Sequence, residues 1–302
     1  MTWTDVPDLT GRTALVTGAN AGLGLETTIA LAGAGAQVLM ACRNRGKADA
    51  AADAVRRRHP AADVRVVDLD LADLASVERL AALLLDEDRP LDLLINNAGL
   101  MAVDEARTAQ GLELQYGVNH LGHHALTGRL VPLLLRSDLA RVVSVSSMGH
   151  RAARGRPDPT LERRYDRWNA YFHSKLDNLY FTAELQRRAA AAGSHLTALA
   201  AHPGGSDTDL GVEGSGVSNR AIGLLAPLLA QPAADGARPT LRAATDRTLP
   251  GGAFVGPRFV VRGRTPVVER PSRRARDADA ARRLWEESVA QSGVDPEVAL
   301  RG

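Results

Sequence analysis

The sequence predicts an α/β fold: a Rossmann-type doubly wound parallel sheet with helices on both faces, in a single domain spanning residues 1–302. Three observations carry this. Short β-branched or Leu-rich runs alternate with Ala-rich stretches of helical period, the βαβ pattern that feeds right-handed crossovers. The runs are apolar almost throughout, as strands buried on both faces are. The first run leads directly into a glycine-rich turn and a helix.

Taken in order, residues 13–17 read as a strand and 23–32 as a helix, with Gly33 and Gly35 marking its end. Residues 37–41 form the second strand, and 47–58 the second helix, closed by Pro60. A third strand at 64–67 precedes a helix at 74–85, for which Asp73 is the N-cap. The fourth strand, 91–95, is followed by a mostly helical stretch over 112–135 with a break expected near Gly117. Residues 141–145 are the fifth strand, 169–192 a long helix and 195–200 the sixth strand. A last strand is expected at 252–255 and a closing helix at about 277–291. Two irregular stretches, about 148–168 and 205–232, interrupt the pattern, and loops of that length commonly carry function.

Composition excludes several function classes. At 45% hydrophobic and 24% charged the chain is globular rather than disordered. Lys+Arg is 37 against 35 Asp+Glu, a net of +2 that gives no nucleic-acid footprint. The single cysteine, Cys42, permits no intrachain disulfide and no Cys-based zinc site, and reads as inert packing. No apolar run reaches membrane-span length, and the first ten residues lack a signal-peptide core, so the expectation is a soluble, cytoplasmic protein. Lysine occurs only twice, at Lys47 and Lys175; every other basic residue is Arg. The cluster Arg270, Arg273, Arg274 and Arg276 reads as solvated surface, with an anion site as the rival.

The turn after the first strand is Thr17-Gly18-Ala19-Asn20-Ala21-Gly22-Leu23-Gly24. Glycines here let backbone approach a pyrophosphate, and the helix that follows presents N–H donors and positive dipole. A structural turn is the bland alternative. The second strand ends at Cys42-Arg43 with no acidic residue to bind a ribose 2′-hydroxyl. Arg43 suits a 2′-phosphate instead, so NADP(H) is preferred, with NAD(H) still open and a plain surface arginine as the rival. Tyr171 and Lys175 stand four apart, on one helix face, where a cation beside a phenol is expected to lower its pKa and make Tyr171 a general acid/base.

On these residues the chain resembles the short-chain dehydrogenase/reductase family over about residues 9–293. Asn96-Asn97-Ala98-Gly99 matches the family's Asn-Asn-Ala-Gly motif, and Asp70-Leu71 its adenine-side pair, with Asp68-Leu69 repeating the pattern next door. Asn119 matches the catalytic asparagine, Ser147 (with Ser146 beside it) the catalytic serine, and Tyr171 and Lys175 the catalytic pair. Pro203, Gly204 and Thr208 match the segment near the nicotinamide. The resemblance implies cofactor contacts from Gly18, Asn20, Gly22, Leu23, Gly24, Arg43, Asp70, Leu71, Asn97, Ala98, Gly99, Tyr171, Lys175, Pro203, Gly204 and Thr208.

Within the family, the 24-residue step from Ser147 to Tyr171 and the Ala41-Cys42-Arg43 strand end resemble the retinol-dehydrogenase-like subgroup. That implies NADP(H)-dependent interconversion of an alcohol and a ketone or aldehyde, with Tyr171 moving the proton and Ser147 binding the oxygen. It also implies that Lys175 binds nicotinamide ribose and that Asn119 holds a water leading to Lys175. The subgroup usually has a large apolar residue where Gly205 stands, so Gly205 is expected to open the substrate space, together with Met148, His150 and Trp168. Gly211, Gly214 and Gly216 mark residues 207–219 as a mobile lid. The Arg-rich stretch 151–167 reads as a solvated loop, with an acidic-substrate grip as the rival. Family habit implies a homo-oligomer, although the subgroup includes monomers. His120, His123 and His124 raise a metal reading, but no carboxylate or cysteine joins them, and no metal is expected. The function alternative is a non-catalytic dinucleotide-binding redox sensor.

Overall fold

The structure is a computed structural model and describes residues 5–155, 157–205, 231–259 and 263–301. Its sheet contains β1 (Thr13–Thr17), β2 (Gln37–Cys42), β3 (Val64–Asp68), β4 (Leu93–Asn96), β5 (Arg141–Val145), β6 (Thr197–Ala201), β7 (Phe254–Pro257) and β8 (Pro266–Glu269). The spatial order is β3-β2-β1-β4-β5-β6-β7-β8. Every neighbouring pair is parallel except β7 and β8, which are antiparallel. The chain winds outward from β1 through β2 to β3, then restarts on the other side of β1 with β4. The crevice between β1 and β4, at the carboxyl ends of the strands, is where such sheets bind ligands.

Side-chain alternation along the strands splits the core in two. Ala14, Val16, Val38, Met40, Leu93 and Ile95 point to one face, under α1 (Gly22–Gly33) and α2 (Arg45–Arg58). Leu15, Leu39, Leu94 and Val142 point to the other, under α3 (Leu74–Glu87) and the helical run after β4. That run is α4 (Leu114–Tyr116), a π-helical turn (Gly117–Leu121) and α5 (Gly122–Leu134), so the break expected near Gly117 is a widened turn within a continuous helix. The same face carries α6 (Arg167–Ala191).

Sequence and structure differ at identifiable points. The fourth strand starts at Leu93 rather than residue 91, and just before it the Asp92 carboxylate accepts the Thr13 N–H and bonds from Arg12 and Ser137. Among the elements that escaped the sequence reading are α7 (Ala233–Thr245), which packs on α1, and the short edge strand β8. The closing helix α8 (Ala278–Ser292) lies against α6 and is capped by Asp277, and a short α9 (Pro296–Leu300) follows it against α5.

Candidate active site

At the end of β1 the backbone turns with Gly18 at φ +65°, a conformation costly for any residue with a Cβ. Gly24 fits for a different reason: a Cβ there would lie 2.2 Å from the Gly18 carbonyl oxygen. Helix α1 begins after Ala21, with no side chain capping its N-terminus and no acidic residue in its first turn. Its leading N–H groups therefore face the crevice with positive dipole and no competing carboxylate, a donor set that fits a phosphate. Asn20, Gly22 and Leu23 are half-buried along the same turn.

Arg43 is exposed immediately after β2 and makes no hydrogen bond or ion pair among the described residues. Its neighbour Arg45 is engaged by Asp49. On the far side of the crevice, Asp70 is fixed through its backbone N–H to Ser76 and through Oδ1 to the Ala72 N–H, and Leu71 is buried beside Gly122. The loop after β4 is tied to β1: Asn97 donates from Nδ2 to the Thr17 carbonyl at 2.8 Å. Cys42 is a thiol whose pKa burial pushes up to about 11, as expected of inert packing.

Ser147 follows β5 and caps a short 3₁₀ turn, Met148–Ala152, by accepting the Gly149 N–H at 3.0 Å. Its side chain also acts on the Tyr171 phenol, drawing that group's pKa down. Ser146 is different: it is buried and donates to the Lys175 carbonyl at 2.7 Å, which holds it against α6 and away from the phenol. Tyr171 and Lys175 lie one turn apart on α6, whose N-terminus Asp166 caps, and Lys175 Nζ is 5.9 Å from the Tyr171 ring centre. Nζ donates to the Val145 carbonyl at 3.1 Å, an oxygen that Asn178 also serves. Asn119 stands in the π-helical turn, with Nδ2 donating to Ser174 Oγ at 2.8 Å. Gly99 joins the group: a Cβ there would be 3.1 Å from Lys175 Nζ and 3.2 Å from Asn119 Oδ1. Asn119, Ser147, Tyr171 and Lys175 are thus gathered around the carboxyl ends of β4 and β5.

The electrostatics correct one expectation. The sequence predicts that the lysine lowers the Tyr171 pKa. In the structure burial is the largest influence on the phenol and raises it, while the Ser147 side chain pulls it back down. Burial also lowers Lys175 to about 8. Each group is desolvated more strongly than it is charged by its neighbour.

The expected substrate contacts divide. Met148 and Trp168 are half-buried beside the site, and the Trp168 ring stands edge-on to Tyr171 with centres 6.4 Å apart. His150 is placed differently from expectation. It is 1% exposed, its Nδ1 donates to the Ser147 carbonyl at 2.7 Å, and its Nε2 accepts the Ser272 N–H at 3.3 Å. Both ring nitrogens are engaged with backbone, Nδ1 with Ser147 and Nε2 with Ser272, instead of facing an open pocket. Pro203, Gly204 and Gly205 are half-buried after β6, and Gly205 accepts the Gln231 N–H at 2.8 Å. Thr208 and the expected lid at 207–219 lie outside the described residues, as does most of 205–232.

Sequence reasoning missed several supporting residues. His202 donates from Nε2 to Glu269 at 3.1 Å and accepts the Gly204 N–H at Nδ1, so the edge strand β8 braces the Pro203-Gly204 turn across β7. Gln231 donates to the Pro203 carbonyl at 2.7 Å. Only tertiary structure pairs these residues, and no local spacing signals them. A cavity of about 200 Å³ is lined by α6 residues Asn169, His173 and Asp177, positions offset from Tyr171 and Lys175 on the helix, and by Ser174, the partner of Asn119.

The three neighbouring histidines face different partners. His120 meets Ser288 at 2.8 Å, His124 lies 3.4 Å from Ser292, and His123 meets Thr17 at 2.8 Å. Among the described residues no cluster of three or more His, Cys, Asp or Glu is arranged to hold a metal ion. Among them, too, no helix is long and apolar enough to cross a membrane.

Comparison with known proteins agrees with this fold. Residues 12–215 match the family described as short chain dehydrogenase. Human retinol dehydrogenase 13 is 37% identical over 294 residues, which span 94% of this chain and 86% of that protein. The crystal structure of an uncharacterised protein from Mycobacterium paratuberculosis superposes with a TM-score of 0.80 at 46% identity, covering 98% of this chain and 99% of that one. A Shigella flexneri short-chain dehydrogenase in complex with NADP gives a TM-score of 0.65 at 25% identity, covering 82% of this chain and 98% of that one. With its doubly wound sheet, its glycine turn and these likenesses together, the chain belongs to the short-chain dehydrogenase/reductase family, and within it is similar to the retinol dehydrogenases.

Proposed function

We propose that this protein is an NADP(H)-dependent oxidoreductase that interconverts an alcohol with a ketone or aldehyde. The observation that carries the reading is the gathering of Ser147, Asn119 and the one-turn pair Tyr171 and Lys175 at the carboxyl edge of β5, with Lys175 Nζ 5.9 Å from the Tyr171 ring centre. The nicotinamide supplies or takes the hydride when bound; the residues manage the oxygen and its proton. As negative charge builds on the carbonyl oxygen, Tyr171 donates its phenolic proton and Ser147 a hydrogen bond. A phenol held protonated by burial is in the right state to act as an acid in the reducing direction. Lys175, with a pKa near 8, carries a proton at neutral pH that can replace the one Tyr171 gives up. Asn119 clamps the loop after β4 against the lysine.

Support for NADP(H) over NAD(H) comes from Arg43, whose guanidinium is exposed and unengaged among the described residues beside the crevice, and from the NADP complex of the Shigella relative. The 148–168 and 205–232 stretches would form the substrate walls of one domain, with Trp168 and Met148 contributing apolar surface. A redox sensor would have no use for a serine and a lysine arranged around a buried tyrosine. The test is a panel of aldehydes, ketones and secondary alcohols followed by NADPH absorbance. Tyr171→Phe should abolish turnover and leave NADPH affinity unchanged; undiminished turnover in that variant refutes the mechanism.

A further inference from the structure

The Thr17 hydroxyl accepts the backbone N–H groups of Asn97 and Ala98, both at 2.9 Å, and lies 2.8 Å from His123 Nε2. Across the imidazole, His123 Nδ1 is 3.0 Å from the Asn119 carbonyl oxygen. The Asn119 side chain then returns to the loop after β4. Its Oδ1 accepts the Leu100 N–H at 2.7 Å, and its Nδ2 donates to the Leu100 carbonyl at 2.9 Å.

Counting donors places every proton. The Asn119 carbonyl can only accept, so the ring proton is on Nδ1. The ring is 2% exposed and burial lowers its pKa to about 4, so it is neutral and Nε2 is a bare acceptor. With its lone pairs taken by two amides, the Thr17 hydroxyl donates to Nε2; the competing Ile95 carbonyl is farther away, at 3.3 Å. A closed circuit results, running from Thr17 through residues 97–100 to Asn119, through His123, and back to Thr17. Gly99, inside that loop, faces Lys175 Nζ, which a Cβ there would approach to 3.1 Å. Asn119 itself sits in a π-helical turn, a departure from regular helix that recurs at functional sites.

We propose that His123 is a positioning residue: by bridging Thr17 to Asn119 it fixes the loop 97–100 and the Asn119 carbonyl relative to Lys175. The proposal rests on the oxidoreductase reading above for its effect on turnover. Its two nitrogens act on different things and can be separated. An asparagine amide nitrogen reaches the place of Nδ1, so His123→Asn keeps the donor to Asn119 and loses the link to Thr17. A glutamine amide reaches the place of Nε2, so His123→Gln keeps Thr17 and loses Asn119.

The experiment measures kcat, NADPH Kd by fluorescence, and Tm for His123→Phe, →Asn and →Gln in the full chain. His123→Phe should lower kcat by about tenfold and weaken NADPH binding by about tenfold, the effect of one lost buried hydrogen bond at each end. His123→Asn should recover kcat to near wild type while NADPH binding stays weak. His123→Gln should do the reverse. If a folded His123→Phe protein keeps wild-type kcat and Kd, or if all three variants lose Tm with no split between kcat and Kd, the proposal is overturned. If the wild-type protein turns over no carbonyl or alcohol, the oxidoreductase reading fails. The NADPH series then still decides: weakened binding in Phe and Asn but not in Gln supports the circuit, and equal binding in all three overturns it.

Discussion

Replacing Lys175 by methionine should destroy turnover and at the same time make the protein more stable at neutral pH. The ammonium is 3% exposed, and burial lowers its pKa from 10.5 to about 8. That difference makes the protonated form cost about 3 kcal/mol in the fold at neutral pH. Methionine is close in volume and carries no charge. It loses the hydrogen bond to the Val145 carbonyl, about 1 kcal/mol, but Asn178 keeps that oxygen satisfied. The net gain is about 2 kcal/mol. The pH dependence has a definite sign. Between pH 8 and 10.5 the unfolded lysine holds a proton that the folded one has released, so wild-type stability rises with pH through that window and the gap to Lys175→Met closes. Urea unfolding of both proteins at pH 7 and at about pH 9.5 reads this directly. A variant less stable than wild type at pH 7, or a gap that does not change with pH, would refute the reasoning.

Arg43→Ala should weaken NADPH binding by about 10–100-fold, the range of a lost charge-assisted contact to phosphate, while NADH binding changes little; equal losses for both, by isothermal titration, would remove the role assigned to Arg43. Gly24→Ala should weaken both dinucleotides and lower stability by about 1–3 kcal/mol, because the new Cβ lands 2.2 Å from a backbone oxygen that cannot move without reshaping the turn; unaltered unfolding and affinity would show that the turn can yield.

The parallel strands were legible because burial on both faces leaves long apolar runs, and β1 and β5 were read to the residue. The strand β8 was not, because it is a half-exposed antiparallel edge of four residues whose Val267 and Val268 alternate with nothing that marks a face. Helix α7 hid for another reason. Its buried face holds Leu241 but is otherwise made of small residues such as Gly236, Ala237, Ala243 and Ala244, and it carries Pro239 inside, so most of its stripe consists of residues that also fill loops. At the site, the spacing of Tyr171 and Lys175 revealed which residues meet. It did not reveal their protonation, because desolvation is set by elements far apart in sequence. His150 shows the same limit: its place beside Ser147 was legible, and its partner Ser272 was not.

The two lysines occupy opposite environments: Lys175 is sealed inside, and Lys47, at the start of α2, is exposed. Reactive aldehydes form imines with accessible lysine amines, and guanidinium groups do not enter that reaction in the same way. A surface solubilised by arginine therefore leaves Lys47 as the one side-chain amine within reach of such a compound. If the proposed reaction is right, the protein is in this way shielded from modification by an aldehyde substrate, and an amine-directed label would mark it at a single known side chain, on the second helix, near the end of β2.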